Sequence, residues 1–309
     1  MNENNKISRR NFILKSAEFS VSAMALPLLP SVFHAATTIP SSILSIASGK
    51  TTEALLTEKA IEKLGGMRKF IKRGDVVVIK PNLVYKMPYK FGVTTNPFVV
   101  EKVIQLCLEA GAKKVKIVEN PSDSNDAVEI FKMTGIEKVC KQTGAELVYP
   151  KENRFKEMQI QGKSLKKANV FIDCIECDKL INIPIVKDHI FSSLSCAMKN
   201  FIGALGGNRF DLHLNLHQNI VDLAQLFKPV LNVVDAVRIL KRNGPAGGSL
   251  RDVEYKYTVF AGTDIVSCDS YAARLLKLPP NTIDFIKFAT EQKLGNSDFA
   301  NIKEMKTSL

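Results

Sequence analysis

The chain has 309 residues, 45% of them hydrophobic, and a formal net charge of +12 at neutral pH. That apolar share supports a full core and excludes a disordered chain, and the length suits one large α/β domain behind a leader. The positive charge is spread along faces such as Lys113-Lys114-Lys116 and Lys163, Lys166 and Lys167, with no tryptophan and no basic stripe interleaved with aromatics. This pattern excludes nucleic acid as a partner and favours an anionic small molecule or an anionic membrane surface.

The first element is an address. Ser8-Arg9-Arg10-Asn11-Phe12-Ile13-Leu14-Lys15 is a twin-arginine motif of the kind read by the Tat translocase. The apolar run from Phe19 to Phe33 is broken by Pro27 and Pro30, and a membrane-spanning helix needs about 20 uninterrupted apolar residues. Residues 1–38 are therefore expected to be a Tat signal peptide, and 39–309 a single exported domain, periplasmic or otherwise extracytoplasmic. Retention of the leader as an anchor is the alternative. Tat cargo crosses already folded, so a cofactor or partner acquired in the cytoplasm can travel with it.

Strand and helix patterns then alternate. Ser42 to Ala47 is a β-type run, Glu53 to Ile71 is helical, and Val76-Val77-Val78-Ile79 is a continuous β-branched run typical of a buried parallel strand. Asn96-Pro97 opens a helix that Gly111 ends, Val115 to Val118 is the next strand, and Glu146-Leu147-Val148 follows. Residues 152–167 read as an inserted hairpin. Leu180 to Pro184, Val230 to Val234 and Tyr257 to Ala261 complete the strands. The rhythm predicts an α/β fold with a doubly wound, mostly parallel sheet, helices on both faces and a small inserted β-hairpin.

Open α/β sheets bind ligands beyond the carboxyl ends of their strands. Lys80-Pro81-Asn82, Lys187-Asp188-His189 and Asp235 all fall at such ends. Between them, Leu194, Ala197, Met198, Phe201, Ile202 and Leu205 have helical spacing. The opposite stripe is Ser192, Ser195, Cys196, Lys199 and Gly203, small residues with one lysine that suit close approach of a ligand or of another backbone. His213 and His217 share a face in either a helix or a strand. Leu212, Leu214 and Leu216 favour the extended form. Imidazoles so placed can bind a transition metal, shuttle protons or contact an anion. The loop Gly244-Pro245-Ala246-Gly247-Gly248 offers backbone N–H groups to an anion, or is a flexible turn.

The six cysteines (107, 140, 174, 177, 196 and 268) include one Cys-x-x-Cys pair, Cys174 and Cys177, which supplies two of the four ligands zinc usually takes. The four-cysteine run of a bound iron–sulfur cluster is absent, so the chain is expected to carry no cluster of its own.

Several ordered blocks carry a resemblance: Lys80-Pro81-Asn82-Leu83, Thr95-x-Pro97, Asn182-x-Pro184-x-x-Lys187-x-His189, Lys199-Asn200-x-x-Gly203, Asp235-Ala236, Gly244-Pro245 with Gly247, and Gly262-x-Asp264-x-Val266-x-x-Asp269. From about Asp75 to Lys277 the chain resembles the DUF362 family, whose function is unknown. Some members are fused to ferredoxin-like domains with two four-iron clusters, and some are Tat-exported. The resemblance implies a redox-linked or metal-linked role.

The expected site places Lys187, His189, Lys199 and Asp235 at the reaction centre. Lys80, Asn82, Asn200, Gly244 and Gly247 hold a ligand or cofactor of unknown identity, and His189, His213 and His217 are candidate ligands for a divalent metal. An anionic small molecule is the expected ligand and an iron–sulfur protein the expected partner. Non-catalytic delivery of a metal or cofactor, or docking on an iron–sulfur enzyme, is the alternative function.

Overall fold

Apolar runs of strand and helix period alternate along residues 42–309, the part that this computed structural model describes. The twin-arginine segment expected to be a signal peptide lies outside the described residues. The first half comprises β1 (Ser42–Ser48), α1 (Glu53–Glu62), β2 (Val76–Pro81), α2 (Pro97–Glu109), β3 (Lys114–Val118), α3 (Ala127–Met133), α4 (Ile136–Thr143), β4 (Glu146–Val148), β5 (Phe155–Gln159) and β6 (Lys167–Phe171). The second half comprises α5 (Ile172–Glu176), β7 (Lys179–Ile183), β8 (Ile185–His189), β9 (Ser193–Ser195), α6 (Leu216–Phe227), β10 (Leu231–Leu240), β11 (Val253–Gly262), α7 (Ile265–Leu275), α8 (Asp284–Glu291) and β12 (Ile302–Ser308).

The main sheet runs β12-β1-β11-β10-β7-β2-β3-β4. β11 is antiparallel to both its neighbours, and every other pairing along this path is parallel. The two-residue side-chain period of a strand splits the core into two layers. Val77 and Ile79 face a layer with Leu56, Val99, Val103, Phe131 and Val139, from α1 to α4. Val78 and Val234 face the other layer, with Ile220, Val266 and Phe285, from α6 to α8. The fold is α/β, with helices on both faces. The inserted hairpin is β5–β6, paired antiparallel from Phe155↔Phe171 to Gln159↔Lys167.

Pro184 separates β7 from β8, yet both run parallel to the long strand β10, β7 through Asn232↔Asn182 and β8 through Asp235↔Ile185. β2 ends where Pro81 lies opposite Ile183. The chain therefore carries β8 past the carboxyl edge of the sheet, and β9 folds back on it with Lys187 opposite Ser195.

Three local expectations are corrected. The helical stretch from Glu53 to Ile71 is two pieces, because α1 ends at Glu62, Gly65 and Gly66 take positive φ, and a single 3-10 turn follows at Met67–Lys69. The helix expected over Leu194 to Leu205 is β9, a turn and a 3-10 segment at Lys199–Ala204. The Asp269 carboxylate accepts the N–H groups of Ala197 (2.6 Å) and Met198 (2.9 Å), which removes them from any helical ladder. Ser192, Ser195 and Cys196 are then buried along with Leu194, Ala197, Met198 and Phe201. The extended reading of 212–216 also gives way: Arg209–Asn215 is 3-10 and α6 begins at Leu216. Leu212 and Leu216, one helical turn apart, are buried while Leu214 is 86% exposed.

Asn96 ties this layer to the sheet. Its side-chain oxygen accepts from Phe98 N–H (3.1 Å) at the start of α2, its own N–H donates to Asp235 (2.8 Å), and its amide donates to Glu53 (3.2 Å). Asn96→Ala is expected to destabilise the protein by about 1–2 kcal/mol, read in urea as a lower midpoint with an unchanged slope.

Candidate functional site

Polar side chains from β2, β7, β10 and the 196–203 segment meet at the carboxyl edge. Asn200 is the hub. Its side-chain oxygen accepts from Lys80 Nζ (3.0 Å) and Asn82 Nδ2 (2.9 Å), and its amide donates to Lys80 O (3.1 Å) and to Asn182 Oδ1 (2.8 Å). Asn182 in turn donates to Ala197 O and Asn232 Oδ1, both at 3.0 Å. Beneath the hub, Lys80 Nζ donates to Glu119 Oε2 (2.9 Å) and Pro81 O (2.8 Å), so all three of its protons are used. Burial draws Lys80 down and pushes Glu119 up from their ordinary pKa values, and each ion opposes the shift of the other. Glu119 Oε2 also accepts from Leu83 N–H (2.8 Å), which with the lysine favours the carboxylate.

Above this pair the charge is not balanced. Lys187 Nζ donates to Asn82 Oδ1 (3.1 Å) and Val93 O (3.0 Å), and lies 5.7 Å from the centre of the Tyr85 ring. Lys199 Nζ lies 3.0 Å from His189 Nε2. Among the described residues no carboxylate forms an ion pair with Lys187 or Lys199, whereas Lys80 has Glu119. Burial first, then the Lys199 charge, lowers Lys187 to about 7. Burial lowers Lys199 to about 8. Burial and then the Lys199, Lys187 and His213 charges lower His189 to about 3, so its imidazole is neutral at physiological pH.

Lys80, Asn82, Lys187, His189, Lys199 and Asn200 thus meet in one place. Asp235 lies in the α2 layer instead, where it accepts from Asn96 N–H and Val237 N–H (3.0 Å), and burial raises it to about 6. Gly244 N–H donates to Asp188 Oδ2 (3.1 Å) and Gly247 N–H to Asn243 O (2.9 Å), so neither is turned to a ligand. A Cβ at Gly244 would collide with Asp188 O, so glycine lets that loop lie directly on β8.

The three histidines expected to bind metal do not converge. His189 Nδ1 accepts from Phe191 N–H (3.2 Å) and its Nε2 faces Lys199, so both ring nitrogens are engaged. His213 is exposed and bonds Phe210 O (3.0 Å), while His217 lies 3.9 Å from Asp284 and stacks on Phe285. Among the described residues, no group of three or more His, Cys, Asp or Glu is arranged to hold a metal ion, so this donor set does not fit one. Cys174 and Cys177 are buried and not joined by a disulfide, the Cys177 thiol donates to Cys174 O (3.5 Å), and burial pushes the Cys174 thiol well above its ordinary pKa.

The sequence reading passed over Glu119, which also stands at a strand end, just past β3. It placed Asn182, Thr95 and Asp269 in ordered blocks but not in the site. A groove of about 480 Å³ between the β5–β6 hairpin and residues 205–219 is lined by none of the expected site residues.

A family described as a domain of unknown function (DUF362) matches residues 77–274, well over half of the chain. The chain belongs to the DUF362 family. The matched span includes every residue of the DUF362 site above, from Lys80 to Asp269. The thylakoid-associated protein sll1697 of Synechocystis is 26% identical over 249 residues, covering 76% of this chain and 73% of that protein. Two solved structures show weaker likeness. A Thermotoga maritima protein has 12% identity and a TM-score of 0.49, over 73% of this chain and 59% of its own. The lactate racemase apoprotein of Thermoanaerobacterium thermosaccharolyticum has 14% identity and a TM-score of 0.41, over 72% and 54%. The chain thus spans little more than half of either, and neither likeness bears on chemistry.

Gly203 gives the DUF362 site its closest approach. A Cβ there would collide with Glu119 Oε1 and come within 2.8 Å of Lys80 Nζ. Gly203→Ala is expected to break the buried ion pair and to destabilise by about 3 kcal/mol or more, measured by chemical denaturation.

Proposed function

We propose that the chain binds a small anionic ligand at the carboxyl edge of β2, β7 and β8, where Lys187 neutralises it beside Lys199. The observation that carries this reading is the charge imbalance: buried Lys187 and half-buried Lys199 form no ion pair with a carboxylate among the described residues, whereas Lys80 has Glu119. Holding unpaired ammonium groups in a low-dielectric site is costly, and an anion offsets that cost. The twin-arginine segment and the family's iron–sulfur associations extend the proposal to an exported protein with a redox-linked role. Delivery of an anionic cofactor to such a partner belongs to the same reading.

The pH dependence follows from linkage. A bound anion favours the charged form of Lys187 and raises it above about 7. Between the free and bound values the complex holds more protons than the free protein. Binding therefore takes up protons at about pH 7–8, and affinity falls as pH rises through that window. Titration calorimetry with oxalate and with inorganic phosphate, in buffers of different ionisation enthalpy, should show this uptake. Lys187→Met should weaken binding by about tenfold or more, equivalent to roughly 1.4 kcal/mol. Proton release on binding, or equal affinity in the variant, contradicts the reading.

A second reading, docking on a partner or a membrane, has its own observation. Ile190 (76% exposed), Phe191 (66%), Phe210 (76%) and Leu214 (86%) are large apolar residues open to solvent. His213 links two of them, with ring centres 5.7 Å from Phe191 and 5.4 Å from Phe210. Contiguous exposed apolar surface marks interaction sites. Among the described residues no helix is long and apolar enough to cross a membrane, and the Synechocystis relative carries a thylakoid-associated name. With a net charge of +12, peripheral contact with an anionic membrane surface fits. Residues 42–309 should co-sediment with vesicles containing anionic lipid, and Phe210→Asp with Leu214→Asp should release them. Sedimentation unchanged by these substitutions removes the patch from consideration.

A further inference from the structure

The hydrogen bonds around His189 fix more than its position. Phe191 N–H can only donate, so His189 Nδ1, 3.2 Å away, must present its lone pair. A neutral imidazole with a bare Nδ1 carries its proton on Nε2. That N–H points at Lys199 Nζ, 3.0 Å away. An ammonium has three donors and no lone pair, and would set N–H against N–H. Only the free amine accepts this bond. The reverse arrangement, with a lysine ammonium donating to Nε2, moves the imidazole proton to Nδ1 and opposes it to Phe191 N–H. The charged groups bearing on His189 are Lys199, Lys187 and His213, all cationic or neutral, so nothing there favours an ammonium at position 199.

We propose that Lys199 is held as a free amine and acts as a nucleophile toward a small aldehyde or ketone that carries a carboxylate. The inference rests on the anion-site reading, because Lys187 is the cation that seats the carboxylate. In the step, the amine lone pair turns from His189 to the carbonyl carbon and forms the C–N bond. The carbonyl π electrons move to oxygen, which receives the freed Nε2–H of His189 as a hydrogen bond while it gains charge. One amine proton passes to that oxygen and gives the carbinolamine. Loss of hydroxide with the second amine proton releases water and leaves the imine, and nothing is oxidised or reduced.

An amine with a pKa of about 8 is half free at pH 8, and this free fraction is roughly 100-fold that of an ordinary lysine. The test is to incubate the protein at pH 8 with glyoxylate and cyanoborohydride, which reduces the imine to a stable carboxymethyl amine, and to map peptides by mass. Lys199 should be modified at least about tenfold faster than exposed Lys306, with a rate that saturates in glyoxylate. Acetaldehyde, which lacks the carboxylate, should show no saturation. Lys187→Met should abolish saturation while leaving the adduct at Lys199. Labelling of Lys199 no faster than of Lys306, in protein that still binds oxalate with proton uptake, overturns the amine assignment and leaves the anion site standing. Failure of both measurements overturns the two together.

Discussion

Two prolines at one level of the sheet set the conditions for everything above them. Pro81 ends β2 and lies opposite Ile183, and Pro184 follows at once on the neighbouring strand. Proline has no N–H, so the ladder between these strands cannot continue, and backbone oxygens at the break would be left buried and unpaired. Side chains take them up. Thr95 Oγ1 donates to Ile183 O (2.8 Å) while accepting from Asn82 N–H (2.9 Å). Asn200 donates to Lys80 O, and Asp235 N–H to Pro184 O (2.9 Å). The polar floor of the site is therefore first a repair of the sheet. Thr95, Asn182, Asn200 and Lys80 in this floor each bond two or more groups, which ties the strand ends together.

On that floor the three lysines have different standing. Lys80 has three acceptors, one of them a carboxylate, and it acts as structure. Lys187 has only neutral acceptors, and Lys199 has only an imidazole. Charge compensation decreases from Lys80 to Lys187 and Lys199. Glu119 Oε1 has no hydrogen-bond partner, and Gly203 leaves no room for a side chain to cover it. The single negative charge of the cluster is thus committed to Lys80 and cannot serve the outer lysines.

The strands and both helical layers could be read from the sequence because their signals are local. Val76-Val77-Val78-Ile79 is strand-like in any context, and Asn96-Pro97 marks a helix start by cap chemistry alone. Lys80, Asn82, Lys187 and His189 were legible for a related reason, since polar residues that directly follow buried strands must lie at one edge. The 194–205 segment misled because its apolar spacing fits a helix, while the deciding contact is Asp269, about seventy positions away in sequence. Asp235 misled in another way. Its place at the strand level is right, but its carboxylate turns to Asn96 on the α2 side, and no local pattern reports which face a residue takes when strands are buried on both. The histidines shared a period but not a destination: Leu212 and Leu216 are buried one turn apart, while His217 goes to Asp284, a partner sequence spacing cannot name.

Phe191 joins the interior chemistry to the surface. Its backbone N–H holds the His189 tautomer, and its side chain lies in the exposed apolar patch beside His213. The N–H bond is already at 3.2 Å, the long end of the normal range, so a displacement of about 0.5 Å removes it. With the bond gone, the imidazole proton is free to sit on Nδ1, Nε2 can accept, and Lys199 is no longer required to be neutral. One residue thus supplies both the backbone donor that His189 needs and a ring of the exposed patch.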